Sequence, residues 1–283
     1  MSAADQRKRV CLITKSWHIV ASGESMNPAA PLPPHQEFEL RLKALSRDAR
    51  AAARFTYIGE AIGFSSAQQP QLIARLNEFA GFWNTVLGAL QTSAIVALGR
   101  MYDRSNKVLS ARKLLDYATA NLGLFSADSL RARLATRLTA PAEVDAYMED
   151  VRPPTQAQFG ALTAALDEHT ALYKEKIKVI RHRVFAHAGR ITQEELHAIF
   201  AAVPVADFER LTVFPLLLYD ALWETYANGL NLALSDMPTA IAELIANPLG
   251  QRAVGKEHQH AVQDTTEFLE SLAPTNGEES GRR

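Results

Sequence analysis

Apolar residues recur at intervals of three and four along most of the chain. Leu72, Leu76, Phe79, Trp83, Leu87 and Leu90 form one such series, and Leu162, Leu166, Tyr173, Ile177, Ile180 and Val184 form another. This spacing places a stripe along one face of an α-helix, so both segments are expected to be helices facing a core. No segment shows the alternation of apolar and polar residues that marks a half-buried strand. The predicted fold is all-α, an antiparallel helical bundle with extra short helices.

Helix breakers and capping residues divide the pattern into elements. The run from Asn27 to Pro34 carries four prolines and cannot continue a helix. Residues 1–34 therefore read as an N-terminal extension with a proline-rich linker. A helix is predicted from His35 to about Ile62, stopping near Gly63, and a second, unbroken one from Pro70 to Tyr102. Ser110 is placed as the cap of a helix reaching Leu122, with shorter helices over Ser126–Leu138 and Ala140–Asp150. Pro153 and Pro154 break the chain, and Thr155 opens the helix that carries the second stripe towards His187, with Gly189 as its natural stop. A short helix over Gln193–Phe200 and a long one over Ala206–Leu234, interrupted by Pro215, complete a helical domain assigned to residues 35–250. Residues 251–283 are polar and are expected to form a flexible tail. There is no internal repeat of fixed period.

Composition narrows the class. The chain has 283 residues, 47% hydrophobic and 22% charged, enough for a substantial core. Its longest apolar stretches, Leu211–Leu218 and Ala94–Leu98, fall far short of the roughly 20 residues that cross a bilayer, so no membrane span or membrane partner is expected. Arg7, Lys8 and Arg9 are not followed by the sustained apolar core of a signal peptide. The lone cysteine, Cys11, cannot form an internal disulfide, which fits a reducing compartment. A cytoplasmic location is expected, with Cys11 inert.

A net charge of −1 excludes a uniformly basic nucleic-acid coat, so any such site is local. One local patch stands out. Lys174, Lys176, Lys178, Arg181, Arg183 and Arg190 fall within a run that holds a single acid, Glu175. Inside it lies Arg181-His182-Arg183-Val184-Phe185-Ala186-His187, which pairs a planar, permanently charged guanidinium with an imidazole that exchanges protons near neutral pH. On an ideal helix, at roughly 100° per residue, Arg181 and His187 stand about 120° apart, whereas Arg183 and His187 share a face. Geometry within one chain thus favours Arg183 as the partner of His187, unless the helix loosens at its end or a second subunit supplies half of the site.

Arg181, His182 and His187 match the Arg-polar-x-x-x-x-His signature of the HEPN superfamily, and the chain resembles that superfamily over roughly residues 38–235. The phrase from Lys178 to Ala188 is similar to the HEPN branch linked to abortive infection against phage. Arg100-Met101-Tyr102-Asp103, with Ser110–Leu115 behind it, resembles that branch's earlier segment. The resemblance implies a homodimer whose two motifs face each other across a metal-independent endoribonuclease cleft, with RNA as substrate and no cofactor. It implies His187 as the base for the ribose 2′-hydroxyl, Arg181 as the group that stabilises charge on the phosphorane, and His182 as a positioner of RNA or of the arginine. Arg183 and Asp103 are supporting candidates, and Lys174, Lys178 and Arg190 are RNA-binding candidates. HEPN toxins silenced by nucleotide attachment carry a tyrosine two residues after the histidine, where this chain has Gly189, so silencing of that kind is not expected. Any antitoxin or regulatory partner would be a separate protein.

Plainer readings stand beside these. Arginines and histidines at a helix C-terminus interact favourably with its dipole and carbonyls without any catalysis, and a non-catalytic RNA-binding or protein-interaction module of the same fold is the alternative function. Asp103 and Arg104 read as an exposed step at a helix end in preference to partners of the motif. Phe79, Phe82 and Trp83 read as core in preference to a base-stacking platform. His182, His187, Glu194 and His197 match no zinc spacing, so no metal is assigned, and His258 and His260 fall in the polar tail. Phosphate-cradling loops and a Gly-x-Ser-x-Gly elbow are missing, which argues against nucleotide-driven and serine-hydrolase functions.

Overall fold

The computed structural model describes residues 31–103, 108–136, 141–149, 151–186, 192–236 and 256–272. Ten α-helices and no strand occur among them, the all-α class that the helical periodicity dictates. The longest, α1 (Pro34–Gln68), buries Phe38, Leu42, Leu45, Ala49, Ala52 and Ala53 at helical spacing and forms the spine of the molecule. It packs most extensively on α3 (Ala80–Tyr102), and then on α9 (Val205–Asn228) and α10 (Lys256–Leu272). Gly63 does not stop α1. A single mid-helix glycine costs only about 1 kcal/mol relative to alanine, and burial of Ile62 and Ser65 on either side outweighs it.

The expected single helix from Pro70 to Tyr102 is two. Helix α2 (Pro70–Asn77) ends at Glu78, and Phe79, at φ −122° and ψ 38°, leads into α3. The break changes the phase of the apolar stripe. Leu72 is buried, but Phe79 and Phe82 are 58% and 62% exposed, which corrects their assignment to the core. Phe82 packs edge-on against the half-buried Trp83 at 5.2 Å, and Trp83 faces Phe268 of α10 at 6.3 Å. By length and composition alone α3 is apolar enough to cross a membrane, contrary to the expectation from uninterrupted runs. Its C-terminal part is nevertheless core, with Ala94, Ile95, Ala97, Leu98, Met101 and Tyr102 buried.

The next elements are short. Helix α4 (Ala111–Ala120) begins after Ser110, which takes the N-cap position without a side-chain bond. A 3₁₀ turn (Leu122–Phe125) brings Phe125 against Phe38 at 5.3 Å and Phe159 at 5.2 Å. Helix α5 (Ala127–Ala135) is capped by Ser126, whose hydroxyl accepts from the Ser129 amide, and α6 (Pro141–Met148) packs on α5.

Helix α7 (Gln156–Ile180) starts at a full capping box between Thr155 and Gln158 and buries Leu162, Leu166, Tyr173, Ile177 and Ile180. The chain then winds from Arg181 to Ala186 as a π-helix. Helix α8 (Gln193–Ala201) has its own capping box, Thr192 with Glu195. Helix α9 contains the buried Pro215 and ends at Asn228, short of the expected Leu234, because Gly229 adopts a left-handed φ of 66°. A side chain there would collide with Leu130. The segment expected to be a loose tail contains α10, whose Val262 and Leu269 are buried.

Candidate functional site

Helices α3 and α7 end side by side, and their last residues make the site. Asp103 caps α3 with its amide bonded to the Gly99 carbonyl at 2.9 Å. Arg181 follows the last α-helical residue of α7, its amide shared between the carbonyls of Ile177 and Lys178. From Arg181 Nη1, hydrogen bonds run to Asp103 Oδ2 at 3.1 Å and to Tyr173 Oη at 3.3 Å. The ion pair is partly solvated, with Arg181 33% and Asp103 36% exposed. The structure therefore corrects the reading of Asp103 as an exposed helix-end residue. It is half-buried and meets the motif across the bundle.

Three elements hold this guanidinium. The ring of Tyr173, 2% exposed, stacks on Tyr102 with centroids 5.3 Å apart and planes at 19°. The Tyr102 hydroxyl in turn donates to the Leu211 carbonyl of α9 at 2.9 Å. Gly99 on α3 gives the arginine its room, since a Cβ at that position would stand 2.8 Å from Nη1. Burial raises the phenol pKa of Tyr173 against the opposing pull of Arg181, and well above the ordinary range for Tyr102. The hydrogen bond that Arg181 donates to the Tyr173 hydroxyl does most to raise the pKa of the arginine. Both tyrosines stay protonated and the arginine stays charged.

Tyr102, Asp103, Tyr173, Lys174, Lys178 and Arg181 line a cleft of about 250 Å³. Lys174 and Lys178 are exposed one turn apart on α7, so among the described residues that line the cleft three cations face one carboxylate. Lys176, on a different face, pairs with Glu175 at 2.9 Å. Arg183 and His182 are exposed, while Val184 packs against the core. His187, Arg190 and Arg104 lie outside the described residues. In the π segment successive turns close over five residues, so the 100° step that made Arg183 the geometric partner of His187 does not apply there. Among the described residues no three His, Cys, Asp or Glu side chains converge as a metal-ligating group.

A larger apolar groove, about 650 Å³, runs between α1, α3 and the α8–α9 connection, with Phe55, Leu87, Ile95, Ile180 and Phe208 on its walls. Its edge at Ile180 adjoins Arg181. Buried next to Phe214 of α9, His169 stacks at 3.9 Å and donates from Nδ1 to the Ala165 carbonyl at 2.8 Å. Burial lowers its pKa.

Sequence reasoning missed three parts of this arrangement. In the sequence Tyr173 is one position of an apolar stripe, yet a buried tyrosine needs a partner for its hydroxyl, and Arg181 is two helical turns away. Gly99 carried a signal as an isolated glycine inside an apolar helix. His169 gave none.

The site belongs to an all-α bundle in which a long core helix ends at Arg181, with His187 six residues on in the sequence. A family model described as AbiU2, of HEPN type, matches residues 35–245, and the chain belongs to this HEPN-type abortive-infection family. No curated protein and no solved structure matches the chain at a significant level.

Proposed function

We propose that the chain is a metal-independent endoribonuclease, a toxin or phage-defence effector of its family, active as a homodimer in which two motifs form one cleft. The observation that carries this reading is the Arg181 guanidinium, held by Tyr173 and Asp103 at the head of a cleft that also presents Lys174 and Lys178. A planar fork beside two lysines suits phosphodiester oxygens. Lys174, Lys178 and Arg190 contact the RNA backbone, and His182 positions RNA.

The reaction follows from these residue types. His187 accepts the proton of a ribose 2′-hydroxyl as that oxygen bonds to the adjacent phosphorus. Arg181 stabilises the charge that grows on the phosphoryl oxygens. The bond from phosphorus to the 5′ oxygen breaks, and this oxygen takes a proton from the partner subunit's His187. The products are a 2′,3′-cyclic phosphate and a 5′-hydroxyl. One chain offers a single arginine–histidine pair, and the apolar groove reaching Ile180 gives a second copy a surface to cover.

One observation favours a non-catalytic RNA-binding module instead: Arg181 is already tied to Asp103, as a strut between two helices would be. Incubating the full-length protein with mixed RNA in EDTA separates the readings. The ribonuclease reading predicts fragments ending in cyclic phosphate and a dimer by light scattering. Intact RNA after long incubation favours the module.

A further inference from the structure

Arg181 has two neighbours of different kinds. Tyr173 is fixed, since its ring is buried, stacked on Tyr102 and anchored through Tyr102 to the Leu211 carbonyl. Asp103 is the C-cap residue just past α3, half-exposed, and among the described residues that line the cleft it carries the one negative charge. Both bonds use Nη1, while Gly99 closes the face of the guanidinium against α3. A carboxylate and a phosphodiester present the same chemistry to a guanidinium, two oxygens sharing one negative charge. Exchanging one for the other at Nη1 keeps a single negative charge bonded to the guanidinium, and Lys174 and Lys178 offset the charge that the phosphate adds to the cleft.

We propose that Asp103 is an exchangeable latch on Arg181: an RNA phosphate displaces its carboxylate from Nη1, while Tyr173 and Gly99 keep the guanidinium in place. The proposal rests on the part of the ribonuclease reading that makes this site an RNA-binding cleft. Asp103 and Tyr173 are then positioning residues with opposite signatures. In the free protein Asp103 holds Arg181 ready and keeps stray anions out, so it competes with substrate. Tyr173 stays bonded in the complex, so its hydroxyl acts on turnover and has little effect on capture.

The test uses the full-length protein with two probes, a 2′-O-methyl RNA oligonucleotide that lacks the nucleophile and the same sequence unmodified. Asp103→Asn keeps the shape and removes the charge, so it should bind the blocked oligonucleotide about fivefold tighter, the upper range for a solvated charge pair. Tyr173→Phe keeps the stack on Tyr102 and should bind it within about twofold of the unsubstituted protein, yet cleave the unmodified RNA about tenfold more slowly at saturation, as expected for loss of a hydrogen bond to a charged group. If Asp103→Asn does not fold, Asp103→Ser replaces it, with folding checked by the thermal midpoint. A latch variant that binds no tighter than the unsubstituted protein overturns the proposal and leaves the ribonuclease reading standing. Tighter binding with no cleavage by any form keeps the latch and overturns the ribonuclease reading. An unsubstituted protein that binds no RNA overturns both.

Discussion

Gly99 and Arg181 are packed so closely that a single methyl group would part them. A Cβ on residue 99 would lie 2.8 Å from Arg181 Nη1 and 3.0 Å from its Cδ, so the guanidinium would have to leave Asp103 and Tyr173. Gly99→Ala should therefore cost the ion pair and the hydrogen bond to Tyr173, which offsets the gain in helix propensity of about 1 kcal/mol and leaves the fold no more stable. Gly88, on the same helix, has open space where a Cβ would stand, and Gly88→Ala should stabilise by about 0.5–1 kcal/mol. Urea denaturation of both variants reads the sign, and equal effects would contradict the packing argument.

Arg181 and Arg183 should separate sharply in a cleavage assay. Arg181→Ala removes the one preorganised cation in the cleft and should slow cleavage a hundredfold or more, on the order of 3 kcal/mol of barrier. Arg181→Lys should recover little, because an ammonium lacks the planar fork. Arg183 is exposed and outside the cleft, so Arg183→Ala should cost less than about fivefold. Arg183→Ala as damaging as Arg181→Ala would reverse the assignment.

Burial sets the pKa of His169 below its ordinary 6.5. The folded state thus takes up the proton less readily than the unfolded chain. The stability from the neutral ring is fully present above about 6.5 and is lost as pH falls from there through the lower folded value. His169→Gln keeps a donor for the Ala165 carbonyl and removes the titration. Denaturation from neutral to mildly acidic pH should give a flatter stability profile for the variant than for the unsubstituted protein. Parallel profiles would show that His169 does not couple to folding.

Lys174 and Lys178 line the cleft one turn apart on α7. Each phosphate that they neutralise releases condensed counterions, so affinity for RNA should fall steeply with salt. Replacing both with Glu should weaken binding at least tenfold and flatten the salt dependence by about two contacts. Unchanged affinity and slope would make the lysines a solvated face.

Much of this architecture was legible where the determinants are local. Thr155 with Gln158 announces the start of α7, and Leu162, Leu166, Ile177 and Ile180 lie buried as their spacing requires. Local signals also misled. The stripe from Leu72 to Leu90 reads as continuous, but the turn at Phe79 changes its phase and leaves Phe79 and Phe82 on the surface. Gly63 and the polar residues after 250 weigh little against the apolar contacts made by Ile62, Val262 and Leu269. The pairing of Asp103 with Arg181 joins residues 78 positions apart, through helix packing that no periodicity encodes. The arginine was readable as chemistry, whereas the neighbours that aim it were readable only in three dimensions.

Metal-independent cleavage of RNA by this motif is the activity on which the proposed function stands. The most direct test is the single-turnover rate on one defined RNA in EDTA, measured for the unsubstituted protein and for His187→Ala with their thermal midpoints alongside. The unsubstituted protein should yield cyclic phosphate ends, and the variant should lose a hundredfold or more in rate with its midpoint nearly unchanged. Equal rates for the two, or no cleavage by the unsubstituted protein, would contradict the proposed function.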